Sequence, residues 1–379
     1  MAVIFVPRET EAGETRVAAT PETAKGMQKL GLQVQVERGA GTAAGFPDSE
    51  YEAAGAQLVD ADARRTADIV LGVQAPTPAA AKGQKAASLL VCALTPGAEL
   101  PTVKALCDAR VTAMALEFMP RITRAQKMDI LSSQATCSGY QAVLLAAAHL
   151  PKMFPLMMTA AGTLTPARVL ILGVGVAGLQ AISTARKLGA IVEANDIRPA
   201  CKEQVESLGA KFVDTGTPPD AETKGGYAKE VQADFLNKQR EILTAHIGHA
   251  DVLITTALVP GKKAPVLVTT AMRKVMKPGS VIVDMAAATG GNVEGTVPGE
   301  RVVLDGVTIL GELNLATMKA CDASRMFARN ILAMLPEFLG KDGVVNINLE
   351  QEIQTAIIVT HDGKVRHEPT AAALAANGA

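Results

Sequence analysis

Three glycines and one aspartate within residues 168–198 are the residues of this chain best suited to bind a nucleotide. Gly173, Gly175 and Gly178 follow a short apolar run of strand type, in G-x-G-x-x-G spacing. In that pattern the first glycine permits a tight turn, the second lets the backbone approach a diphosphate, and the third lets a helix pack against the strand. Asp196 lies 18 residues after the last glycine, where a carboxylate can bind the hydroxyls of an adenosine ribose.

The pattern predicts a dinucleotide-binding βαβ unit, and the alternative is a purely structural βα turn. A strand at Val169–Leu172, a helix at Leu179–Leu188 and a second strand at Ile191–Ala194 follow one another in the required order. The free N–H groups and the dipole of the helix N-terminus favour an anionic diphosphate. Because Asp196 should repel a 2′-phosphate, we expect NAD rather than NADP, although Arg198 argues in the other direction.

A second polar cluster lies in residues 119–134, MPRITRAQKMDILSSQ, and comprises Arg121, Gln126, Asp129 and Ser132. Asp129 and Ser132 are three residues apart, which predicts that they share one face of a helix. Arg121 and Asp129 could pair and fix a loop at the mouth of a cleft. The cluster follows the last strand of the N-terminal part, so we expect it to face the nucleotide. The alternative is an ordinary helix cap with solvated charges, and spacing alone does not decide between the two.

The composition of the 379-residue chain indicates about two domains and limits its partners. With 48% apolar residues, 20% charged residues and a net charge of −1, nothing favours binding to nucleic acid or to an anionic membrane. Five cysteines without a C-x-x-C pair suit a reducing cytoplasm, and five scattered histidines give no metal-site spacing. The N-terminus does not resemble a signal peptide. The most apolar stretch, Leu144–Leu164, contains two prolines and a lysine and is a poor transmembrane helix.

Alternating strand and helix patterns predict an α/β protein with two Rossmann-like, doubly wound domains and a cleft between them. We assign residues 1–125 plus 312–379 to a discontinuous first domain, and residues 126–311 to an NAD(H)-binding domain that begins with a linking helix at 126–150. Residues 312–335 are predicted to form a helix that returns to the first domain. The other predicted elements are strands Val3–Val6, Val34–Val36, Asp68–Val73, Ser88–Ala93, Val111–Leu116, Lys211–Val213, Asp251–Thr255, Ser280–Asp284 and Val307–Leu310, and helices Pro21–Leu30 and Leu100–Ala109.

Two further segments carry predictions. An Asp-Gly pair between two apolar runs after Ile357 predicts a short hairpin, and the alanine-rich last ten residues are expected to fray. Residues 214–230 make a connection that is long for an α/β unit. It is either a disordered surface excursion or a mobile flap, with Gly225 and Gly226 as the hinge and Tyr227 as the closing ring.

Longer motifs throughout the chain resemble those of the NAD(H)-binding α subunits of proton-translocating nicotinamide nucleotide transhydrogenases. The resemblance covers nearly the whole chain. Its motifs are PRETEAGETRVAATP (Pro7–Pro21), MPRITRAQKMDILSSQ (residues 119–134), MMTAAGT (Met157–Thr163), GVGVAGLQ (residues 173–180), KEQVESLG (Lys202–Gly209), GGYAKE (Gly225–Glu230) and TTALVPG (Thr255–Gly261).

The resemblance implies direct hydride transfer, of the AB stereochemical type, between NADH on this chain and NADP⁺ held on a partner β subunit. It also implies a homodimer on the cytoplasmic face of the cell membrane, with a membrane-spanning subunit that moves protons. Arg121, Gln126, Asp129 and Ser132 would be the catalytic set around the nicotinamide, with Gln126 reaching toward the second nucleotide. The implied cofactor-binding residues are Gly173, Gly175, Val176, Ala177, Gly178, Asp196, Ile197, Arg198, Gly226, Tyr227, Ala257 and Leu258.

Two other functions remain as alternatives. The chain also resembles alanine dehydrogenases and keeps Arg16, the counterpart of their substrate-binding arginine. Their motif lysine is replaced by Gln74, their histidine falls at Cys92–Leu94, and their aspartate is replaced by Ala288. Without that acid/base pair, oxidation of an amino acid is hard to arrange. A pure NAD-sensing module would not need the polar cluster at 121–132 to orient a nicotinamide.

Overall fold

The structure, a computed structural model, describes residues 1–216, 233–258, 263–340 and 343–376. Two units result: Met1–Gln134 with Thr317–Ala379 form the first, and Ala135–Ala316 form the second. The sequence interpretation placed the two boundaries nine residues earlier (125 against 134) and five residues earlier (311 against 316). The first difference has a local cause, because a 3₁₀ helix at Thr123–Met128 is still held by the first unit.

The N-terminal part of the first unit alternates short strands with helices. The predicted strands and helices here lie within one residue of the observed ones, whereas β3, α2 and α3 were not predicted. At the start of α1, Thr20 and Thr23 form a reciprocal capping box, with a proline at the first helical position. The elements are β1 (Val3–Val6), α1 (Pro21–Lys29), β2 (Gln33–Glu37), α2 (Asp48–Ala53), β3 (Gln57–Val59), β4 (Ile69–Gln74), α3 (Pro78–Lys82), β5 (Leu89–Ala93), α4 (Leu100–Asp108) and β6 (Thr112–Ala115).

The helix α5 (Ile130–His149) leads from the first unit into the second. It begins at Ile130 and not at Gln126, which corrects the predicted linking helix. The hairpin of β7 and β8 and the strand β14 were also not predicted. The further elements are β7 (Met157–Thr159), β8 (Gly162–Leu164), β9 (Arg168–Leu172), α6 (Val176–Lys187), β10 (Ile191–Asn195), α7 (Cys201–Ser207), β11 (Lys211–Phe212), α8 (Ala233–His249), β12 (Val252–Thr255), α9 (Thr270–Lys274), β13 (Val281–Asp284), β14 (Arg301–Leu304) and β15 (Val307–Leu310).

The chain then returns to the first unit through α10 (Ala320–Met334), α11 (Glu352–Ile357), β16 (Ile358–His361), β17 (Lys364–Val365) and α12 (Glu368–Ala376). The antiparallel pairing of β16 with β17 confirms the predicted hairpin. The prediction that the last ten residues fray is wrong for those described, because α12 continues to Ala376. Its Thr370 and Leu374 are buried, so packing orders this alanine-rich segment.

In the described part of the first unit, eight strands form one sheet in the order β17-β16-β6-β5-β4-β1-β2-β3. Strands β1 to β6 are parallel, and β16 joins β6 antiparallel. Ile4 and Val6 belong to one hydrophobic cluster, and Phe5 belongs to another. Alternate side chains of β1 thus enter separate cores, as expected for a parallel sheet covered on both faces.

In the described part of the second unit, seven strands form a sheet in the order β11-β10-β9-β12-β13-β15-β14, with β14 antiparallel to its neighbour. The chain runs outward from β9 through β10 to β11, then returns to β12 on the other side of β9 and continues in the opposite direction. This reversal between β9 and β12 is the topological switch point at which α/β sheets bind ligands. Both sheets confirm the predicted two-domain α/β fold.

Helices long and apolar enough to cross a membrane are not found among the residues described. The apolar stretch Leu144–Leu164 forms the end of α5 and the hairpin of β7 and β8.

Candidate functional site

The glycine turn after β9 has three different backbone environments. Gly173 adopts φ +99°, a left-handed conformation that favours glycine, and its N–H donates to the carbonyl of Asn195. A methyl group on Gly178 would overlap the carbonyl oxygen of Gly173, so α6 packs directly on the turn. At Gly175, the residue that precedes α6, a methyl group would meet nothing within 4 Å. The backbone at Gly175 is therefore open to a ligand at the N-terminus of a 12-residue helix.

Asp196 follows β10, the strand that pairs with β9, and its carboxylate reaches the glycine turn. Oδ2 accepts from Val174 N (2.7 Å) and Arg198 Nη2 (2.8 Å), and Oδ1 accepts from Arg198 N and Nε (both 2.9 Å). Burial raises the pKa of Asp196, but the hydrogen bonds and charge of Arg198 outweigh that effect and hold the pKa below its ordinary value. The structure therefore places an ionised carboxylate beside the turn.

The end of β12 completes this edge of the sheet. Thr256 Oγ1 donates to the carbonyl of Gly173 (3.0 Å), which joins the third strand end to the turn. Asn292, which is fully buried, accepts from Ala257 N (3.0 Å) and donates to the carbonyls of Ala257 (2.9 Å) and Pro265 (2.8 Å). The predicted cofactor residue Ala257 is thus held at its backbone, and the next residue, Leu258, is 48% exposed.

A buried carboxylate, Asp284, positions Asn292 in turn. Asp284 has no exposed surface and ends β13. The described donors to its two oxygens are Ala286 N, Asn292 N, Val293 N, Thr255 Oγ1 and Thr296 Oγ1. Sequence reasoning missed both Asp284 and Asn292. The available signal was an aspartate that ends an apolar strand run, a few residues before Gly290 and Gly291.

Asn195 is a third positioning residue that the sequence interpretation missed. It is 4% exposed, and its Nδ2 donates to the carbonyl of Val213 (2.7 Å) and to Thr215 Oγ1 (3.2 Å). Its Oδ1 accepts from Gln239 Nε2 on α8 (3.3 Å). The strand end that carries Asp196 is therefore tied to β11 and to α8.

In the first unit, the cluster at 119–134 takes a different local structure from the predicted one. Asp129 precedes α5, where its Oδ1 accepts from Ser132 N (3.1 Å) and its Oδ2 accepts from Ser132 Oγ (2.6 Å). The two residues therefore form a helix-capping pair, and the prediction that they share a helix face is wrong. Arg121 and Gln126 are exposed, whereas Asp129 and Ser132 are half-buried.

Helix α10 holds this segment in place. Asn330 Nδ2 donates to the carbonyl of Lys127 (2.8 Å), and its Oδ1 accepts from Ser133 Oγ (2.6 Å). Gln134 Nε2 donates to the carbonyl of Ala323 (3.1 Å). No pattern around 119–134 indicated that a helix some 200 residues later in the chain would support it.

Arg16 lies in a buried polar network of the first unit and is 7% exposed. Its Nε and Nη2 donate to the two oxygens of Glu14 (2.8 and 2.5 Å), and its Nη1 donates to Gln134 Oε1 (2.8 Å). Gln74 Nε2 donates to the same carboxylate (2.8 Å). All three guanidinium nitrogens thus have partners within the protein.

Two of the predicted cofactor residues, Gly226 and Tyr227, lie outside the described residues, as does the segment predicted as a flap. Val176, Ala177 and Ile197 stand at the glycine turn or beside Asp196, as predicted. Among the described residues, no group of three or more histidine, cysteine, aspartate or glutamate side chains could hold a metal ion.

Comparison with known proteins adds two profile matches and several relatives. The alanine dehydrogenase/PNT N-terminal domain matches residues 5–138, and the alanine dehydrogenase/PNT C-terminal domain matches residues 142–368. An NAD(P) transhydrogenase subunit alpha sequence from Rhodospirillum rubrum is 48% identical over 374 residues, which cover 96% of this chain and 97% of the relative.

Two solved structures are also similar over nearly the whole chain. A transhydrogenase from Sinorhizobium meliloti has 42% identity and a TM-score of 0.88, covering 96% of this chain and 99% of its own. An L-alanine dehydrogenase has 26% identity and a TM-score of 0.82, covering 99% of both chains.

Proposed function

The chain belongs to the alanine dehydrogenase/PNT family, and from this premise we propose that it is the NAD(H)-binding component of a proton-translocating transhydrogenase. The reaction is direct transfer of a hydride from NADH on this chain to NADP⁺ on a partner subunit. The observation that carries the proposal is the edge formed by the ends of β9, β10 and β12, where the glycine turn lies beside an ionised Asp196.

The residues of this edge fit an adenine dinucleotide. The N–H groups of Val176 and Ala177 lie in the first turn of α6, where they have no partner within the helix and favour a diphosphate. Gly175 leaves room for that diphosphate. Asp196 accepts hydrogen bonds from the adenosine ribose, with Ile197 and Arg198 beside it. Ala257 and Leu258 border the bound dinucleotide, and Gly226 and Tyr227 close over it.

Arg121, Gln126, Asp129 and Ser132 position the nicotinamide and its ribose. A hydride carries two electrons, so its transfer oxidises NADH to NAD⁺ and reduces NADP⁺ to NADPH, with no proton taken up or released. Such a step needs close, aligned rings and the exclusion of water. A set of amide, hydroxyl, carboxylate and guanidinium groups suits that task, because it can orient a ring without moving a proton.

The complete enzyme needs partners that this chain does not supply. We expect an NADP(H)-binding β subunit, a membrane-spanning subunit that translocates protons, and a second copy of this chain. The chain itself then lies on the inner face of the cell membrane, in the cytoplasm, and is attached through those partners.

The test is a single-turnover experiment with stoichiometric amounts of this chain and an NADP(H)-binding transhydrogenase component loaded with NADP⁺. We expect NADPH to form at the rate at which NADH disappears. With deuterium on the A side of NADH, the label should appear on the B side of NADPH, as the AB type requires. NADH binding without transfer would contradict the proposal and favour a sensing module.

L-alanine with NAD⁺ is the parallel control. The bonding of Arg16 to Glu14 and Gln134 leaves none of its nitrogens without a partner, and the acid/base residues of an alanine dehydrogenase are replaced. No NADH should therefore form. Formation of NADH in this control would show that the chain is an amino-acid dehydrogenase instead.

A further inference from the structure

The carboxylate of Asp196 has no acceptor position left for a ribose. A carboxylate offers about four lone-pair positions, two on each oxygen. Here Oδ1 accepts from Arg198 N and Nε, and Oδ2 accepts from Val174 N and Arg198 Nη2. The two side chains are 7% and 15% exposed, so water does not compete freely for these positions.

The four donors differ in how easily they can leave. The N–H groups of Val174 and Arg198 belong to the backbone, which the glycine turn and β10 hold in place. Nε and Nη2 belong to one guanidinium at the end of a flexible side chain. A guanidinium presents two donors to a carboxylate side by side, and a vicinal diol does the same. The guanidinium of Arg198 and the 2′- and 3′-hydroxyls of a ribose therefore need the same pair of acceptor positions.

We propose that Arg198 is an internal ligand of Asp196, which the adenosine ribose of NAD(H) must displace in order to bind, and which thereby sets the selectivity against 2′-phosphorylated dinucleotides. The inference rests on the proposed function, since it concerns the same nucleotide site. It adds a residue that lowers the affinity for the correct ligand, whereas the sequence interpretation treated Arg198 only as a cofactor contact.

Two consequences distinguish an internal ligand from an ordinary binding residue. Removal of the guanidinium makes Asp196 available to the ribose, so the affinity for NADH rises. The same removal leaves the carboxylate with less positive charge nearby, so a 2′-phosphate is repelled more strongly and the affinity for NADPH falls. A general loss of structure would lower both affinities together.

The experiment measures NADH and NADPH binding by the wild type, Arg198→Ala, Arg198→Lys and Arg186→Ala. The chain has no tryptophan, so the fluorescence of the reduced nicotinamide can be followed without that background. Arg186 is exposed in the last turn of α6, away from the glycine turn, so its variant removes one positive charge of the same unit as a matched control.

We expect Arg198→Ala to bind NADH about tenfold more tightly, since a site that is only partly available lowers the apparent affinity by that fraction. NADPH should bind more weakly, and Arg186→Ala should match the wild type. Arg198→Lys keeps the charge but presents a single point contact, so it should gain NADH affinity while binding NADPH like the wild type. Loss of NADH affinity in Arg198→Ala that lysine restores would overturn the inference, as would unchanged binding of both ligands.

Stopped-flow binding of NADH to the wild type supplies a second measurement that needs no variant. If release of Arg198 precedes ribose binding, the observed rate approaches a limit as the NADH concentration increases. A rate that increases linearly to the highest usable concentration contradicts the inference. Absence of NADH binding by the wild type contradicts the proposed function and this inference with it, whereas weaker binding in Arg198→Ala contradicts this inference alone.

Discussion

Gly175 and Gly178 stand three residues apart in the same turn and have opposite surroundings. A side chain on Gly175 would meet open space, and one on Gly178 would overlap backbone. The first position is therefore important for what binds there, and the second for how the turn packs. Mutation to alanine separates these two roles.

We predict that Gly175→Ala keeps or slightly increases the free energy of unfolding, by about 0.5 kcal/mol, because alanine restricts the unfolded chain. Its NADH affinity should fall about tenfold or more, since the methyl group occupies the space that a diphosphate approaches. Gly178→Ala should lower the free energy of unfolding by about 1–3 kcal/mol, as overpacked sites do. Urea unfolding and NADH titration of both variants measure these effects, and equal NADH affinity in Gly175→Ala and wild type would refute the assignment.

Gln126 is exposed in the 3₁₀ helix Thr123–Met128, where it supports no described packing. Gln126→Asn keeps the amide but draws it back by one methylene group. We predict that hydride transfer slows about 10- to 100-fold, because a misplacement of about 1 Å can have that effect. The NADH dissociation constant should change much less. Lys127→Ala, an exposed neighbour whose backbone carbonyl carries the contact to Asn330, is the matched control. Equal losses in transfer and in binding would show that Gln126 does not orient the rings.

At the scale of elements, the loop after β1 is fastened to the end of β4 by a buried acid. Glu9 accepts from Val73 N (2.6 Å) and Gln74 N (3.3 Å). Burial raises the pKa of Glu9 to about 7, with a further contribution from the charge of Glu14, while the backbone donors and Arg16 act in the opposite direction. The link between the two elements therefore titrates near neutral pH.

The sign of the stability effect follows from proton binding. Between about pH 4.5 and about pH 7 the folded protein keeps a proton on Glu9 that the unfolded chain has lost. Stability falls with pH wherever the native state binds more protons. The contribution of Glu9 to the free energy of unfolding therefore decreases as the pH rises through this window, and is constant below and above it.

We predict that Glu9→Gln removes this dependence, so its free energy of unfolding gains on the wild type as the pH rises from about 4.5 to about 7. Urea unfolding of both proteins at a series of pH values measures the difference. Glu11→Gln, at an exposed glutamate of the same loop, is the control. If the wild type and Glu9→Gln give parallel curves through the window, Glu9 does not titrate there in the folded protein.

At the scale of the whole molecule, the chain builds two sheets, each with hydrophobic clusters on both faces. The proposed contacts of the dinucleotide are divided accordingly, with the adenosine and diphosphate contacts in the second unit and the nicotinamide contacts in the first. Hydrogen exchange can report on the two sets separately, because it measures local opening along the chain.

We predict that ADP-ribose protects the backbone at 172–178 and 195–198 from exchange, because these residues bind the adenosine ribose and the diphosphate. NADH should protect the same residues and, in addition, those at 121–132. Mass spectrometry of peptides from the chain with each ligand makes the comparison. Protection at 121–132 by both ligands alike would show that this cluster does not recognise the nicotinamide.

The fold was predictable wherever one local pattern decides an element. Strands such as Val3–Val6 and Val307–Leu310 are apolar runs buried on both faces, and they occur where predicted. Short or exposed strands such as β3 and the hairpin of β7 and β8 lack that pattern and were missed. The helix α12 was missed because its order comes from the burial of Leu374, which an alanine-rich sequence does not reveal.

For the candidate site, the sequence by itself determined the glycine turn, the acid after the second strand and the polar cluster at 121–132, because spacing along one or two elements specifies these groups. Only the tertiary structure decided which partners they have. Asp129 caps a helix, Asp284 and Asn292 hold the loop at Ala257, and Arg198 occupies the carboxylate of Asp196. Hydrogen bonds act over about 3 Å, so the state of a side chain depends on neighbours that folding brings from distant parts of the chain.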